Sequence, residues 1–376
     1  MKKLLMNTDK LLLIVTIIMF IAGLIMVFSA SNVTAYMSYA ASPYNYFIKQ
    51  GLVLIVGLFV FLFMINFSTK SYGFFSWILL IIFTASLVIL LIYGTAKNKA
   101  ISWFDFGFFS LQPSEFIKVI TIVFLATYYD RNQKKLNSWT KSLFPIGICI
   151  MIAGLIFLQP DLGTTIIYGL IVLIIFLAVP IAGEIKYKTF FAGVGFVVVA
   201  AIAMFGAGKG VLLERQMERF DFKNPCEKIL SNGSQVCNCY IAINNGGLTG
   251  VGLGNSTQKY LYLPEAYTDF IFAIIVEELG VITGIILILA YIFVIFRILL
   301  IGRRCPNNRG AVICYGVAFY IFLHVAVNLL GIMGLMPMTG VPLPFMSYGG
   351  SFTLCLIAAL SLVQRVNIEN NLMKEN

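Results

Sequence analysis

Apolar blocks of about twenty residues recur along the chain and limit what it can fold into. A helix of that length crosses the roughly 30 Å of hydrocarbon in a bilayer. Ten such blocks can be counted, near residues 11–30, 47–66, 73–93, 113–129, 143–159, 162–180, 189–208, 270–296, 311–336 and 349–364. The strands of about ten residues with alternating polarity that build an outer-membrane barrel are absent from the sequence. The pattern predicts an all-α polytopic membrane protein with about ten transmembrane helices.

The composition excludes the soluble alternatives. Of the 376 residues, 60% are hydrophobic and 11% are charged, whereas a soluble domain carries about a quarter of its residues as charges. A soluble enzyme, a disordered chain and a secreted disulfide scaffold are therefore excluded. The first block is longer than the 7–15-residue core of a signal peptide, so we interpret it as an uncleaved first span.

The distribution of basic residues predicts the orientation. With the N-terminus inside, 16 of the 26 lysines and arginines fall on the cytoplasmic side, and the short outer loops hold only Lys49, Lys97 and Lys99. Basic residues concentrate on the cytoplasmic side of membrane proteins, so both termini are expected to be cytoplasmic. The net charge of +10 then indicates contact with anionic lipid, and no nucleic-acid partner is expected.

One predicted connection is far longer than the others. Residues 209–268 form a large extracytoplasmic loop between spans 7 and 8, within a single integral membrane domain that covers 1–376. A loop of this size is usually functional or disordered. Its glycine-rich run, Gly246–Gly254, has neither the preceding strand nor the following Lys-Ser/Thr of a phosphate-binding loop. We expect these glycines to permit close packing of backbone.

Glu115 and Lys118 are charged residues at the start of the fourth span. Pro113 suits a first helical turn, and side chains three residues apart share a helix face. Two interpretations remain open. The two side chains form a neutralising pair that extends outward to water, or they line a polar cavity that contacts an anionic substrate, because ionisable residues at membrane depth are functional candidates.

Two further segments contain acidic residues. Asp161 either caps the sixth span in a tight turn or joins the polar cluster of Glu115 and Lys118. Glu277 and Glu278, two turns into the eighth span, are interpreted as interior polar packing.

Asp269 ends the run Leu263–Asp269 that leads into the eighth span. A carboxylate at this boundary is suited to act as a general base. The alternative is structural, with Thr268 as the helix cap and Asp269 in the first turn. The irregular segment 336–351 must be buried in protein or line a wet cavity. His324 and Asn328, one turn apart, either support that cavity or pack structurally, and the single histidine argues against a zinc site.

Seven ordered motifs resemble those of the SEDS family, which contains FtsW, RodA and SpoVE. They are Ser102-Trp103, Gln112-Pro113-Ser114-Glu115 with Lys118, Gln159-Pro160-Asp161-Leu162-Gly163, Gly252-Leu253-Gly254-Asn255-Ser256 with Gln258-Lys259, Leu263-Pro264-Glu265 with Thr268-Asp269, Thr339-Gly340 with Leu343-Pro344, and Ser347-Tyr348-Gly349-Gly350-Ser351. The resemblance covers nearly the whole chain and is stronger to FtsW and SpoVE than to RodA. Ser102 is a departure, because family members often carry arginine there.

The resemblance implies a peptidoglycan glycosyltransferase of the bacterial cytoplasmic membrane that polymerises lipid II at its outer face. It implies that Asp269 is the catalytic residue. It also implies a class B penicillin-binding protein as the transpeptidase partner, together with divisome or elongasome membrane proteins. A divalent cation, Mg²⁺ or Mn²⁺, is a candidate cofactor. The residues expected to bind substrate are Glu115, Lys118, Asp161, Arg219, Gln258, Lys259, Glu265 and Ser347.

Two other functions remain open at this point. One is a lipid II flippase, and the other is a membrane scaffold for a penicillin-binding protein. The cysteines of the large loop leave a further alternative open, because a Cys226–Cys237 disulfide would leave Cys239 unpaired.

Overall fold

The computed structural model describes residues 2–39, 42–93, 95–97, 100–107, 109–191, 193, 225–227, 233–260 and 262–375. Most of the seventh predicted span, 189–208, lies outside the described residues. So does Arg219, together with much of the large loop.

Eleven labelled helices account for most of the described chain. They are α1 Lys2–Met6, α2 Lys10–Tyr39, α3 Asn45–Met64, α4 Thr69–Tyr93, α5 Pro113–Arg131, α6 Trp139–Phe157, α7 Leu162–Ala178, α8 Gly233–Gly246, α9 Ile271–Arg303, α10 Asn308–Ile332 and α11 Gly350–Glu375. Seven of them, α2, α3, α4, α6, α9, α10 and α11, are long and apolar enough to cross a membrane. The prediction of an all-α polytopic membrane protein is confirmed.

Three short strands join α4 to α5. The strands β1 Thr95–Lys97, β2 Ala100–Asp105 and β3 Ser110–Leu111 pair antiparallel in that order. Thr95 pairs with Trp103, and Phe104 pairs with Leu111. These three strands were not predicted, because the pattern of apolar blocks indicates only the membrane-spanning helices.

The buried centre of the protein contains α5, α10 and α11. Almost every side chain of α5 is buried, which explains how a span can hold Glu115 and Lys118. Helices α3, α4 and α6 instead turn large apolar side chains outward, such as Phe59, Ile81 and Ile150. Such exposed apolar faces suit contact with lipid rather than water.

Helix α9 is broken at Gly280, which has φ +86° and ψ 164°. The glycine-rich run packs into the break: a Cβ on Gly280 would lie 2.2 Å from the Leu248 carbonyl oxygen. The backbone groups freed by the break are bonded to this run. Val251 N–H donates to Glu277 O at 3.0 Å, and Val281 N–H donates to Gly247 O at 3.0 Å. The predicted close packing of the glycine-rich run is therefore confirmed.

Ion pairs tie the helices together at the end predicted to be cytoplasmic. Arg297 on α9 pairs with Asp9 at 2.8 Å, and Arg309 on α10 pairs with Asp130 on α5 at 3.2 Å. Glu278 lies 19 residues before Arg297 in α9, which corresponds to about 28 Å of helix. This separation is close to the thickness of the hydrocarbon layer.

Candidate active site

Asp269 lies in the turn immediately before α9, whose N-cap is Phe270. Thr268 does not cap the helix, because its hydroxyl donates to the carbonyl oxygen and to a carboxylate oxygen of Glu265, both at 3.1 Å. The structural alternative, with Thr268 as the cap and Asp269 in the first turn, is therefore wrong. Asp269 is half-buried at the helix entrance.

The main chain around Asp269 is held by α10 and by the segment 336–349. The Asn328 amide donates to Asp269 O and to Val341 O, each at 2.8 Å. The hydroxyl of Ser347 donates to Thr268 O at 2.5 Å. Ser347 was predicted to bind substrate, and the structure places it in a buried position that holds the turn.

Three tyrosines pack behind this turn. The Tyr267 hydroxyl donates to the Tyr46 hydroxyl at 3.2 Å, and the rings of Tyr46 and Tyr348 meet edge to face with centroids 5.0 Å apart. Burial raises the pKa of Tyr348 to about 12, so this phenol stays neutral at physiological pH. The cluster supports the turn with uncharged packing.

A small open cleft lies beside the Asp269 carboxylate. It is lined by Asp269, Val327, Asn328, Gly331, Met338, Thr339, Gly340 and Val341. Gly340 has φ +70°, and a Cβ there would lie 3.4 Å from Asp269 Oδ2. Glycine at this position therefore provides the backbone conformation and leaves space next to the carboxylate.

Asp161 caps α7, as one interpretation of the sequence predicted. Its carboxylate accepts from Thr164 N–H at 3.1 Å and from the Thr164 hydroxyl at 2.9 Å. It also accepts from the Gln112 amide at 3.2 Å. A Cβ on Gly163 would lie 2.8 Å from Thr339 Cβ, so the start of α7 borders the cleft. The cap is confirmed, and the Gln112 contact links Asp161 to the start of α5, the helix that carries Glu115 and Lys118.

The amino-terminal ends of α7 and α9 border the cleft, and those of α5 and α11 are joined to the start of α7 through Gln112. The Ser351 hydroxyl at the start of α11 accepts from Gln112 N–H at 3.0 Å, which joins α11 to the start of α5. The starts of α7 and α9 adjoin the same segment through Thr339 and Gly340. Helix amino-terminal ends carry partial positive charge and favour anions. Gln112 and Ser351 belong to separate motifs 239 residues apart, so the sequence alone does not show that they meet.

Glu115 and Lys118 form a pair with 2.8 Å between Oε1 and Nζ. Both side chains are buried, at 3% and 1% exposed, so the prediction that they extend outward to water is wrong. Lys118 instead lies 3.0 Å from Nε2 of His324 on α10. The pair is formed as predicted, and its charge is neutralised inside the protein.

Gln258 and Lys259 lie at the break in α9. Lys259 is 1% exposed, and its ammonium pairs with Glu278 at 2.9 Å. Gln258 is also buried, and its N–H donates to Glu277 at 3.3 Å. The interior packing predicted for Glu277 and Glu278 is confirmed. Of the other residues predicted to bind substrate, Glu265 lies half-buried close to Asp269.

The described part of the large loop contains a Cys226–Cys237 disulfide, with Cys239 unpaired and buried. Sequence reasoning had left this pairing open. The bond joins the start of α8 to residues 225–227, which follow the stretch outside the described residues.

No group of three or more His, Cys, Asp or Glu side chains able to hold a metal occurs among the described residues. One or two carboxylates together with substrate phosphates can hold Mg²⁺ without such a group, so the divalent cation stays a prediction.

Residues 9–372 match the family model of FtsW, RodA and SpoVE, described as "Cell cycle protein". The probable peptidoglycan glycosyltransferase FtsW of Bacillus subtilis is 34% identical over 385 residues, covering 100% of this chain and 95% of that protein. Stage V sporulation protein E of the same organism is 35% identical over 368 residues, covering 96% and 97%.

A solved structure supports the same assignment at the level of the fold. A chain from a peptidoglycan synthase complex, studied for the structural coordination of polymerization and crosslinking, matches with a TM-score of 0.78 and 22% identity. The match covers 96% of this chain and 98% of that chain. The family model and the two relatives cover nearly the whole sequence, which confirms the resemblance found in the motifs. The chain belongs to the FtsW/RodA/SpoVE family of membrane proteins.

Proposed function

We propose that the protein is a peptidoglycan glycosyltransferase that polymerises lipid II, as donor and as acceptor, in cell division or cell-shape growth. The observation that carries the proposal is the half-exposed Asp269 carboxylate, fixed through its main chain beside a cleft that the amino-terminal ends of α7 and α9 border. The relative named as a probable peptidoglycan glycosyltransferase supports the reaction class.

In the proposed reaction, Asp269 takes the proton from a sugar hydroxyl of the acceptor. The hydroxyl oxygen then bonds to the anomeric carbon of the donor, and the bond from that carbon to the lipid pyrophosphate breaks. The pyrophosphate leaves with the electron pair. A positioned general base contributes about 10²- to 10⁴-fold to such a step.

The leaving pyrophosphate needs positive charge nearby. The helix amino-terminal ends around the cleft supply partial positive charge, and Arg219 remains our proposed cation from the large loop. Asp161, at the start of α7, and the half-buried Glu265, four residues before Asp269, are proposed to contact sugar hydroxyls. We propose that the buried residues Glu115, Lys118, Gln258, Lys259 and Ser347 act on substrate indirectly, by holding these elements in place.

A flippase is the competing function, and the break in α9 is the observation that favours it. Discontinuous helices form the substrate sites of many transporters. In this protein, however, the four backbone groups freed at residues 277, 278, 281 and 282 are bonded to the glycine-rich run. They are therefore not available to a transported substrate. The ion pairs at the other end of the bundle also tie together the helices that would have to separate.

The location and partners follow from the proposed reaction. The proposed lipid-linked substrate and the basic-residue distribution support a cleft at the outer face of the bacterial cytoplasmic membrane, with both termini in the cytoplasm. Glycan strands must be crosslinked to form a wall, so a class B penicillin-binding protein, within the divisome or elongasome, is the proposed partner. The similarity in fold to a chain of a peptidoglycan synthase complex supports this pairing.

The test is polymerisation of lipid II by the purified protein, alone and with its cognate penicillin-binding protein. Wild type is expected to form glycan polymer, and Asp269→Asn is expected to lose at least 100-fold of the rate. The variant must remain folded and partner-bound for the comparison to count. Parallel reactions with Mg²⁺, Mn²⁺ or a chelator test whether polymerisation needs a divalent cation.

Equal polymer from wild type and Asp269→Asn would remove Asp269 from catalysis. Movement of lipid II across liposomes without any polymer would establish the flippase instead. Binding of the penicillin-binding protein without polymerisation or lipid II movement would support the scaffold function instead.

A further inference from the structure

His324 is the single histidine of the chain, and the proposed reaction does not use it. It is fully buried on α10, one turn before Asn328. Asn328 holds the main chain of Asp269. The same helix face therefore carries one residue that supports the cleft and a second whose role is unassigned.

The surroundings of the imidazole determine which nitrogen carries the proton. Nδ1 lies 3.0 Å from Tyr320 O, and a carbonyl oxygen can only accept a hydrogen bond, so Nδ1 donates. Nε2 lies 3.0 Å from Nζ of Lys118, and an ammonium can only donate, so Nε2 accepts. A ring that donates at one nitrogen and accepts at the other is a neutral imidazole.

The ring is also fixed in orientation. Phe352 on α11 stacks on it with centroids 4.9 Å apart, and Tyr320 lies at 4.6 Å. The Lys118 ammonium, in turn, has three neighbours that hold it. It pairs with Glu115 at 2.8 Å, lies 5.7 Å from the Tyr320 ring centroid, and donates to His324.

We propose that His324 is a positioning residue, which holds the Lys118 ammonium by accepting its hydrogen bond at Nε2. Helix α10 then positions two parts of the site. His324 holds the Lys118 ammonium on α5, and Asn328 holds the turn that carries Asp269. The inference rests on the proposed function for its effect on rate. The hydrogen bond itself can be tested without that function.

The activity test compares two substitutions at this position. In His324→Gln the side-chain amide oxygen can reach the place of Nε2 and accept from Lys118, so most of the polymerisation rate is expected to remain. His324→Leu removes the hydrogen-bond acceptor, so the polymerisation rate is expected to fall at least tenfold. In a Lys118→Met background, His324→Leu is expected to cause no further loss. Equal loss in the Gln and Leu variants, or full activity in both, would overturn the proposal.

The second test needs no enzymatic activity. Protein labelled with ¹⁵N-histidine and placed in lipid nanodiscs gives the signals of one imidazole, since the chain has one histidine. We expect the neutral form protonated at Nδ1, and a shift of the Nε2 resonance in Lys118→Met. Protonation at Nε2, or an Nε2 signal unchanged by Lys118→Met, would contradict the proposal even if wild type proves not to be a polymerase.

Discussion

At the level of single residues, two neighbouring buried carboxylates on α9 have different kinds of partner. Glu277 accepts hydrogen bonds from uncharged groups of residues 245 and 256–258. Glu278 has a charged partner, Lys259, and also accepts from the Ser29 hydroxyl on α2. Each arrangement satisfies a carboxylate that would otherwise be costly to bury. Together they attach the segment that follows the glycine-rich run to the broken helix.

Lys259 is predicted to matter for stability through its pair with Glu278. Lys259→Met leaves a buried carboxylate unpaired and should cost about 3–5 kcal/mol. The double variant Lys259→Met/Glu278→Gln removes both charges and should recover much of that loss. Thermal unfolding in detergent, followed by light scattering or intrinsic fluorescence, measures both effects. The exposed lysine of the Lys188–Glu184 pair provides a control, because Lys188→Met should change stability little.

A different result would restore the direct role first predicted for this lysine. If the double variant regains wild-type stability but polymerises no lipid II, Lys259 does more than neutralise Glu278. If stability and polymerisation recover together, the residue acts through its ion pair.

The residues whose partners are near in sequence were the ones that sequence reasoning located. The Glu115–Lys118 pair follows from helical spacing, and the Asp161 cap follows from a turn before an apolar run. The partners of Lys259 could not be derived in this way. Glu278 lies 19 residues away and Ser29 lies 230 residues away, so only the packing of three elements brings them together. Burial of Lys118 was missed for the same reason, since His324 lies on another helix.

At the level of elements, the break in α9 is the feature that shapes the site. Gly280 allows the helix to be interrupted, and the glycine-rich run replaces the missing helical hydrogen bonds. Sequence reasoning predicted the span but not the break, because Leu279-Gly280-Val281 contains no proline or polar turn residue. The two consecutive glutamates beside a glycine were the available signal.

Gly280→Ala is predicted to destabilise the fold strongly. The added Cβ would meet Leu248 O at 2.2 Å, and the residue would keep a φ of +86°. Both effects together should cost at least about 3 kcal/mol, which reduces the yield of monodisperse protein in size-exclusion chromatography. Gly154→Ala on α6 is the matched control, because nothing lies within 4 Å of its Cβ position. That change should be neutral or stabilise by up to about 1 kcal/mol. Similar behaviour of the two variants would mean that the break is not required for folding.

At the level of the whole molecule, the two ends of the bundle are built differently. At the predicted outer end, helix starts and irregular segments surround a cleft. At the other end, ion pairs join α2 to α9 and α5 to α10, and Gln364 on α11 accepts from Asp9 N–H at 2.8 Å. Chemistry at one membrane face needs no opening at the opposite end. Transport by alternating access does need one.

This difference predicts the effect of locking the end that is predicted to be cytoplasmic. Asp9→Cys and Arg297→Cys, introduced together and joined by a short bismaleimide, should leave lipid II polymerisation within about twofold of the uncrosslinked double variant. The reason is that the proposed reaction takes place at the opposite end of the bundle, beyond Glu278, which is itself about 28 Å of helix away from Arg297, and only the outer cleft must admit substrate. The single variants treated with the same reagent control for loss of the ion pair and for labelling of native cysteines such as Cys305, which is partly exposed. Polymerisation that stops only in the crosslinked double variant would show that the cytoplasmic end must open during turnover, as a flippase requires and a transferase working at one face does not.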